Sequence, residues 1–260
     1  MTFARLIAFA LAFWAATLPR IAAAESPVVA AAASVQFALV EIAQAFEAET
    51  GETVRLTFGA SGNLARQIRQ GAPYDLFLSA DESFVLTLAE EGRLRDQGVL
   101  YAQGRIGALV PRGSDLKPDG TLEDLRAALQ DGRLGRFAIA NPEHAPYGQR
   151  AREALIHAGL WEAIEPHLVI GENIAQAAQF AVSGNADGGI VSYSLAVAPD
   201  VAARSEFALI PADWHEPLGQ RMALTKRAGP VAEAFYAYLQ SPAARAIFDD
   251  YGLALSHGEG

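Results

Sequence analysis

The sequence predicts an α/β protein, with helices packed on mostly parallel sheets. Two observations carry that prediction. Short β-rich runs alternate with stretches of helical periodicity along the chain, and several runs are followed at once by a small polar residue at a helix start. Val28 to Ala32 is a short apolar run, and Val35, Leu39, Ile42 and Phe46 follow as one helical stripe closed by Gly51. Val54 to Phe58 reads as the next strand, and Leu64 and Ile68 mark a short helix with Arg66 and Arg69 on its wetter side. Asp75 to Leu78 is a third strand, and Phe84 and Leu88 mark a third helix.

A second set begins after Gly104. Arg105 to Val110 reads as a strand, and Leu122, Leu125 and Leu129 as a helical stripe. Phe137 to Ala140 is a strand, 147–158 a helix, Ile174 to Val182 an Ala-rich helix, and Gly189 to Ser192 a short buried strand. Phe207 to Ile210 and Arg221 to Thr225 follow as strands. Pro230 suits the first position of one closing helix, and Ser241 with Pro242 suits the cap and first position of the next. No internal repeat or linker divides the chain, so periodicity alone fits one α/β domain or two interleaved lobes.

Composition narrows the function. The 260 residues are 51% hydrophobic and 19% charged, enough for a sizeable core. A formal charge of -10 disfavours nucleic acid and anionic lipid as partners. Without cysteine there is no disulfide, thiol nucleophile, thiolate metal site or lipid-anchored cysteine. Residues 1–24 read as a cleaved signal peptide: Arg5, an apolar run from Leu6 to Leu18, the break at Pro19, and Ala22-Ala23-Ala24 before Glu25. The mature chain is then expected outside the cytoplasm, without membrane insertion.

The chemistry-bearing feature is the repeated strand-to-helix turn. Ser34 follows the first apolar run, and Ser61 sits in Gly59-Ala60-Ser61-Gly62-Asn63 before the second helix. Pro146-Tyr147-Gly148 and Asn173-Ile174 open two later helices. Helix starts leave backbone N–H groups without intrahelical partners, and several converging starts can cage an anion without Lys or Arg. The competing reading makes each Ser or Asn simply the cap of its own helix. The glycines beside Ser61 favour a ligand there, because they permit close backbone approach.

Other sites are poorly supported. There is no P-loop, no GxGxxG after the first strand and no GxSxG elbow at Ser61. The histidines, 144, 157, 167, 215 and 257, have no metal-ligand spacing, although His215 lies near Asp213 and Glu216. Tyr101, Tyr147, Tyr193, Tyr236, Tyr238 and Tyr251 are scattered, and a ferric-binding tyrosine pair has no support. Asp249-Asp250 suits a surface, and Asp75 and Asp81 suit turns or caps.

Several ordered segments resemble the periplasmic molybdate-binding proteins of ABC transporters. They are Ala31-Ala32-Ala33-Ser34, Gly59 to Ile68, Gly71 to Asp81, Ala140 to Gly148, Gly171-Glu172-Asn173-Ile174 and Gly188 to Val191. The resemblance runs from about Val28 to Gly252. It implies a two-lobe α/β binding protein of the type II periplasmic class, each lobe a mostly parallel sheet flanked by helices, with the ligand in the cleft between lobes. Lobe I would comprise 25–102 and 214–260, and lobe II 103–213.

The resemblance also implies a site without catalysis or cofactor. Ser34 and Ser61 would give hydroxyl and backbone hydrogen bonds to molybdate or tungstate, and Tyr147 and Ile174 mainly backbone N–H groups. No bare metal cation is implied, since molybdenum enters only within the oxyanion. Some members carry a ligand-bonding tyrosine directly after the Gly-Ile-Val run; here that place is Ser192, with Tyr193 one residue on. A one-residue offset on a strand turns a side chain to the other face, so Ser192 is expected near the ligand and Tyr193 stays open. The implied partner is the membrane permease of a molybdate ABC transporter, and the implied state a monomer. Three readings compete: a receptor for sulfate, phosphate or another small anion, a secreted Ser61-dependent α/β hydrolase, and a structural or interaction protein.

Overall fold

The computed structural model describes residues 26–255, and the export segment predicted at 1–24 lies outside them. Two five-stranded mixed sheets, each flanked by helices, form two lobes. The first half runs β1 (Val28–Ala32), a 3-10 turn (Ala33–Val35), α1 (Gln36–Thr50), β2 (Arg55–Gly59), α2 (Ser61–Arg69), β3 (Leu76–Ser79), α3 (Glu82–Glu90) and β4 (Val99–Gly104). Then come β5 (Ile106–Pro111), α4 (Glu123–Asp131), β6 (Phe137–Ala140), α5 (Pro146–His157), α6 (Trp161–Ile164) and β7 (Leu168–Gly171). The remainder is α7 (Ile174–Val182), β8 (Gly188–Ser192), α8 (Tyr193–Ala196), α9 (Pro199–Ala202), β9 (Ser205–Leu209), β10 (Leu218–Leu224), α10 (Pro230–Tyr238) and α11 (Pro242–Asp250).

The first sheet has the order β2-β1-β3-β10-β4, and the second β7-β6-β8-β5-β9. Strands β1, β2 and β3 pair in parallel, in the register Val29 opposite Leu56 and Leu76, while β10 runs antiparallel to both β3 and β4. In the second sheet β6 pairs in parallel with β7 and β8, and β5 is antiparallel to β8 and β9. The chain therefore passes between sheets twice, from β4 to β5 and from β9 to β10. At these passages the antiparallel strands lie among parallel ones.

Apolar periodicity explains the packing. Leu39, Ile42 and Phe46 bury one face of α1 against β1 and the closing helices, where Phe46 meets Phe235 and Tyr238 edge-on. Such pairs add roughly 0.5–1.5 kcal/mol beyond their area. The core of the second lobe continues through Ala32, Ala33, Ala60 and Ala80 of the first, so small side chains let the two lobes touch.

Two strands had no signal in the sequence reading. Strand β7 is bounded by exposed or half-buried residues, and β4 mixes polar Gln103 with Gly104. Strand β10 starts at Leu218 rather than Arg221, because Gly219 and Gln220 pair with β4 although neither is apolar. The stripe placed at Leu122, Leu125 and Leu129 loses its first member: Leu122 is buried but precedes α4 in the left-handed region, with φ of 58°.

Gly98 begins the turn into β4 at φ +60°, and a Cβ there would run into the Met222 carbonyl and the Ala223 side chain. Gly98→Ala is therefore expected to lower stability by about 2 kcal/mol or more. Urea unfolding measures this, and an unshifted midpoint would contradict the packing of β4 on β10.

Candidate functional site

The four turns singled out in the sequence meet at one place. The C-terminal ends of β1, β2, β6 and β7 lead into the turn at Ser34, α2, α5 and α7, and a small pocket lies where these starts converge. Its walls include Ala32, Ala33, Ser34, Gly59, Ala60, Ser61, Ala80, Ala145, Pro146, Tyr147 and Ile174, around about 190 Å³ of empty space. Among the described residues no charged side chain lines it. A larger groove, about 1030 Å³ by the same measure, opens between α1 and α7, but it contains neither serine.

Of Ser34, Ser61 and Asn173, the reading as a helix cap holds for Asn173 alone. Its Oδ1 accepts from the N–H groups of Ala175 and Gln176, which leaves the Ile174 N–H facing the pocket uncapped. Ser61 is the first residue of α2, preceded by Ala60, which cannot cap. Its Oγ accepts from the Ala80 N–H at 3.0 Å, so the hydroxyl proton remains free to donate. Ala145, before α5, likewise has no capping side chain, and Pro146 occupies the first turn. Ser34 is 1% exposed, and its Oγ makes no hydrogen bond among the described residues. A buried unpaired hydroxyl costs about 1–3 kcal/mol, a cost that a bound acceptor would cancel.

Tyr147 brings a hydroxyl as well as an N–H. Its ring is 1% exposed, and Gln220 Nε2 donates to its oxygen at 2.8 Å. Burial pushes the phenol up to about 12, while the neighbouring Ser34, Gln220 and Ser194 side chains pull the other way.

Ser192 and Tyr193 do not line the pocket. Ser192 Oγ caps α8 by accepting from the Leu195 N–H at 3.3 Å, and lies 3.1 Å from Ser194 Oγ. Ser194 in turn donates to the Ser34 carbonyl at 2.7 Å, so Ser192 stands behind the pocket rather than in it. The Tyr193 ring stacks on Phe207 and abuts Gly252, away from the serines.

Besides the bond from Gln220 to Tyr147, three further contacts join the lobes around the pocket. The Gly62 N–H donates to the His144 carbonyl at 2.9 Å, and a Cβ on Gly62 would strike that oxygen at 2.8 Å. Ser194 reaches the Ser34 carbonyl as described, and Arg150 donates to Asp81 at 3.0 Å with both side chains largely buried. The sequence reading had Asp81 as a cap, which it is, accepting from the Ser83 N–H; its pairing with Arg150 had no local signal.

Among the described residues, no histidine hydrogen-bonds the Ser61 hydroxyl, although the His144 backbone lies beside Gly62. The His144 ring bonds the Glu172 carbonyl, and buried His215 meets the Glu216 carbonyl through Nδ1. Burial holds the His215 imidazole below its usual pKa, and Arg150 and Arg105 push the same way. Among the described residues no cluster of His, Asp and Glu could hold a metal ion.

This fold and pocket define a two-lobe binding protein. The chain belongs to the bacterial extracellular solute-binding protein family, whose profile matches residues 27–254. It is 36% identical to the molybdate-binding protein ModA of Rhodobacter capsulatus over 89% of either chain. It is also 36% identical to ModA of Azotobacter vinelandii, over 87% of this chain and 89% of that protein. The solved periplasmic molybdate-binding protein of Azotobacter vinelandii superposes with a TM-score of 0.81 at 28% identity, covering 89% of this chain and 100% of that one.

The buried phenols predict an alkaline instability. Tyr147 and Tyr101 both keep their protons in the fold above the ordinary value of 10.0. Below about pH 10 neither adds a pH dependence; above it the unfolded chain ionises first, so stability falls as pH rises toward 12. Each such group costs about 1.4 kcal/mol per pH unit in that window. Tyr147→Phe should flatten the fall in thermal stability between pH 10 and 12, and an unchanged slope would place the phenol in water.

Proposed function

We propose that this chain is the extracytoplasmic receptor of an ABC importer, capturing molybdate and tungstate and delivering them to the membrane permease. The observation that carries the reading is the pocket itself: uncharged, buried, and walled by hydroxyls and first-turn N–H groups from both lobes. Ser34 and Ser61 donate from the first lobe, and the N–H groups of Tyr147 and Ile174 from the second. Ser192 supports Ser34 through Ser194, and Tyr193 serves packing. Residues 1–24 act as a cleaved signal peptide that delivers the chain to the periplasm, where it works as a monomer. Lobe I is 25–102 with 214–260, and lobe II 103–213.

Neutral donors suit a transported dianion. Charge-assisted hydrogen bonds stabilise it while the two lobes are together, and no cationic clamp opposes its release. Selection against sulfate then rests on size, because a cage set for longer metal–oxygen bonds leaves sulfate with stretched hydrogen bonds.

Calorimetric titration of ligand-stripped mature protein with molybdate, repeated in excess sulfate, tests this. Tight one-to-one binding that survives sulfate is expected, with Ser34→Ala and Ser61→Ala each weakening it about 10- to 100-fold. Binding abolished by sulfate moves the substrate to another oxyanion. No heat, and no thermal stabilisation by either anion, overturns the receptor reading.

A further inference from the structure

A buried hydrogen-bond relay reaches the pocket from the strands that link the lobes. Tyr101 on β4 donates its hydroxyl proton to Gln220 Oε1 on β10 at 2.8 Å, and Gln220 Nε2 donates to the Tyr147 oxygen at 2.8 Å. Tyr101, Gln220 and Tyr147 are 5%, 0% and 1% exposed, so water does not compete for these bonds. Gly104 makes room for the relay: a Cβ there would lie 2.5 Å from the Tyr147 hydroxyl and 2.9 Å from Gln220 Nε2.

The direction of the relay follows from proton accounting. An amide turned the other way would donate to Tyr101, whose proton would then have only the Ser79 carbonyl, at 3.5 Å. That distance is a poor hydrogen bond, so the orientation with Tyr101 donating to Oε1 is favoured. The Tyr147 oxygen then accepts from the amide, and its own proton points elsewhere. The Ser34 and Ser194 hydroxyls stand beside it, and of these Ser34 Oγ, buried and without a fixed partner, lines the pocket.

We propose that Gln220, held by Tyr101, is a positioning residue that commits the Tyr147 phenol to donate on its pocket side, so that the phenol disfavours protonated oxyanions such as hydrogen phosphate. This rests on the oxyanion reading above and deepens it. Ser61 spends one of its two acceptor positions on the Ala80 N–H, and backbone N–H groups can only donate. A fully deprotonated tetrahedral dianion meets a donor at the phenol and at the backbone N–H groups. A hydrogen phosphate that turns its own O–H toward the phenol sets it against another donor, leaving a polar group unpaired there. Releasing Tyr147 from Gln220 lets the phenol turn and accept that proton.

Calorimetric titrations with sodium molybdate and with sodium phosphate at one neutral pH test this in wild type, Gln220→Met, Tyr147→Phe, the double variant and Tyr101→Phe. Gln220→Met is expected to weaken molybdate binding about 3- to 10-fold, the range for one neutral hydrogen bond, and to shrink the preference for molybdate over phosphate. Tyr101→Phe should act in the same direction but less. In the Tyr147→Phe background the Gln220 substitution should have little further effect. Equal losses for both anions, or a Gln220 effect that persists unchanged without the phenol, overturns the positioning role while leaving the receptor reading intact. Wild-type protein that binds no molybdate overturns both. Thermal melts of the ligand-free variants separate a folding defect from these outcomes, and Tyr101→Phe supplies the second test if Gln220→Met does not fold.

Discussion

An anion can be buried without a cation only where hydrogen-bond donors have nothing else to do. Everything near this pocket follows from that constraint. Helix starts supply N–H groups that no carbonyl within the helix can reach, and the C-terminal ends of parallel strands aim several such starts at one point. Alanine before α2 and α5, where a capping Ser or Asp would be ordinary, keeps those donors open. Asn173 caps its helix yet spares the one N–H that faces the pocket.

The same elements hold the lobes together. Gly62 and Asp81 of the first lobe follow directly on pocket residues, and they meet His144 and Arg150, which flank the start of α5. The residues that join the lobes therefore stand directly beside the walls of the pocket. The Arg150–Asp81 pair is nearly dry, and the loss of either partner would strand a buried charge.

Donor direction matters as much as donor number. A hydroxyl can donate or accept, so a site built of Ser and Tyr is chemically ambiguous until a second contact fixes each role. The Ala80 N–H occupies one acceptor position of Ser61, and Gln220 donates to Tyr147 from its side chain. Tyr147 also puts a phenol in a site where Ser192, a helix cap, offers none.

The helical stripe Val35, Leu39, Ile42 and Phe46, the parallel order of the early strands and the serines at helix starts were legible in the sequence because each is a local pattern. Apolar spacing reports a buried face, and a strand followed by a small residue reports a turn that leaves N–H groups free. The sequence by itself therefore determined the α/β class and the kind of chemistry available at 34, 61, 147 and 174. Tertiary structure alone decided what depended on distant residues meeting: Arg150 on Asp81, Gln220 buried between two phenols, and Tyr193 turned onto Phe207. Polar residues such as Gln220 carry no periodic signal, and their roles exist only once the chain has crossed between the sheets twice and brought partners from opposite ends of the sequence within hydrogen-bond distance.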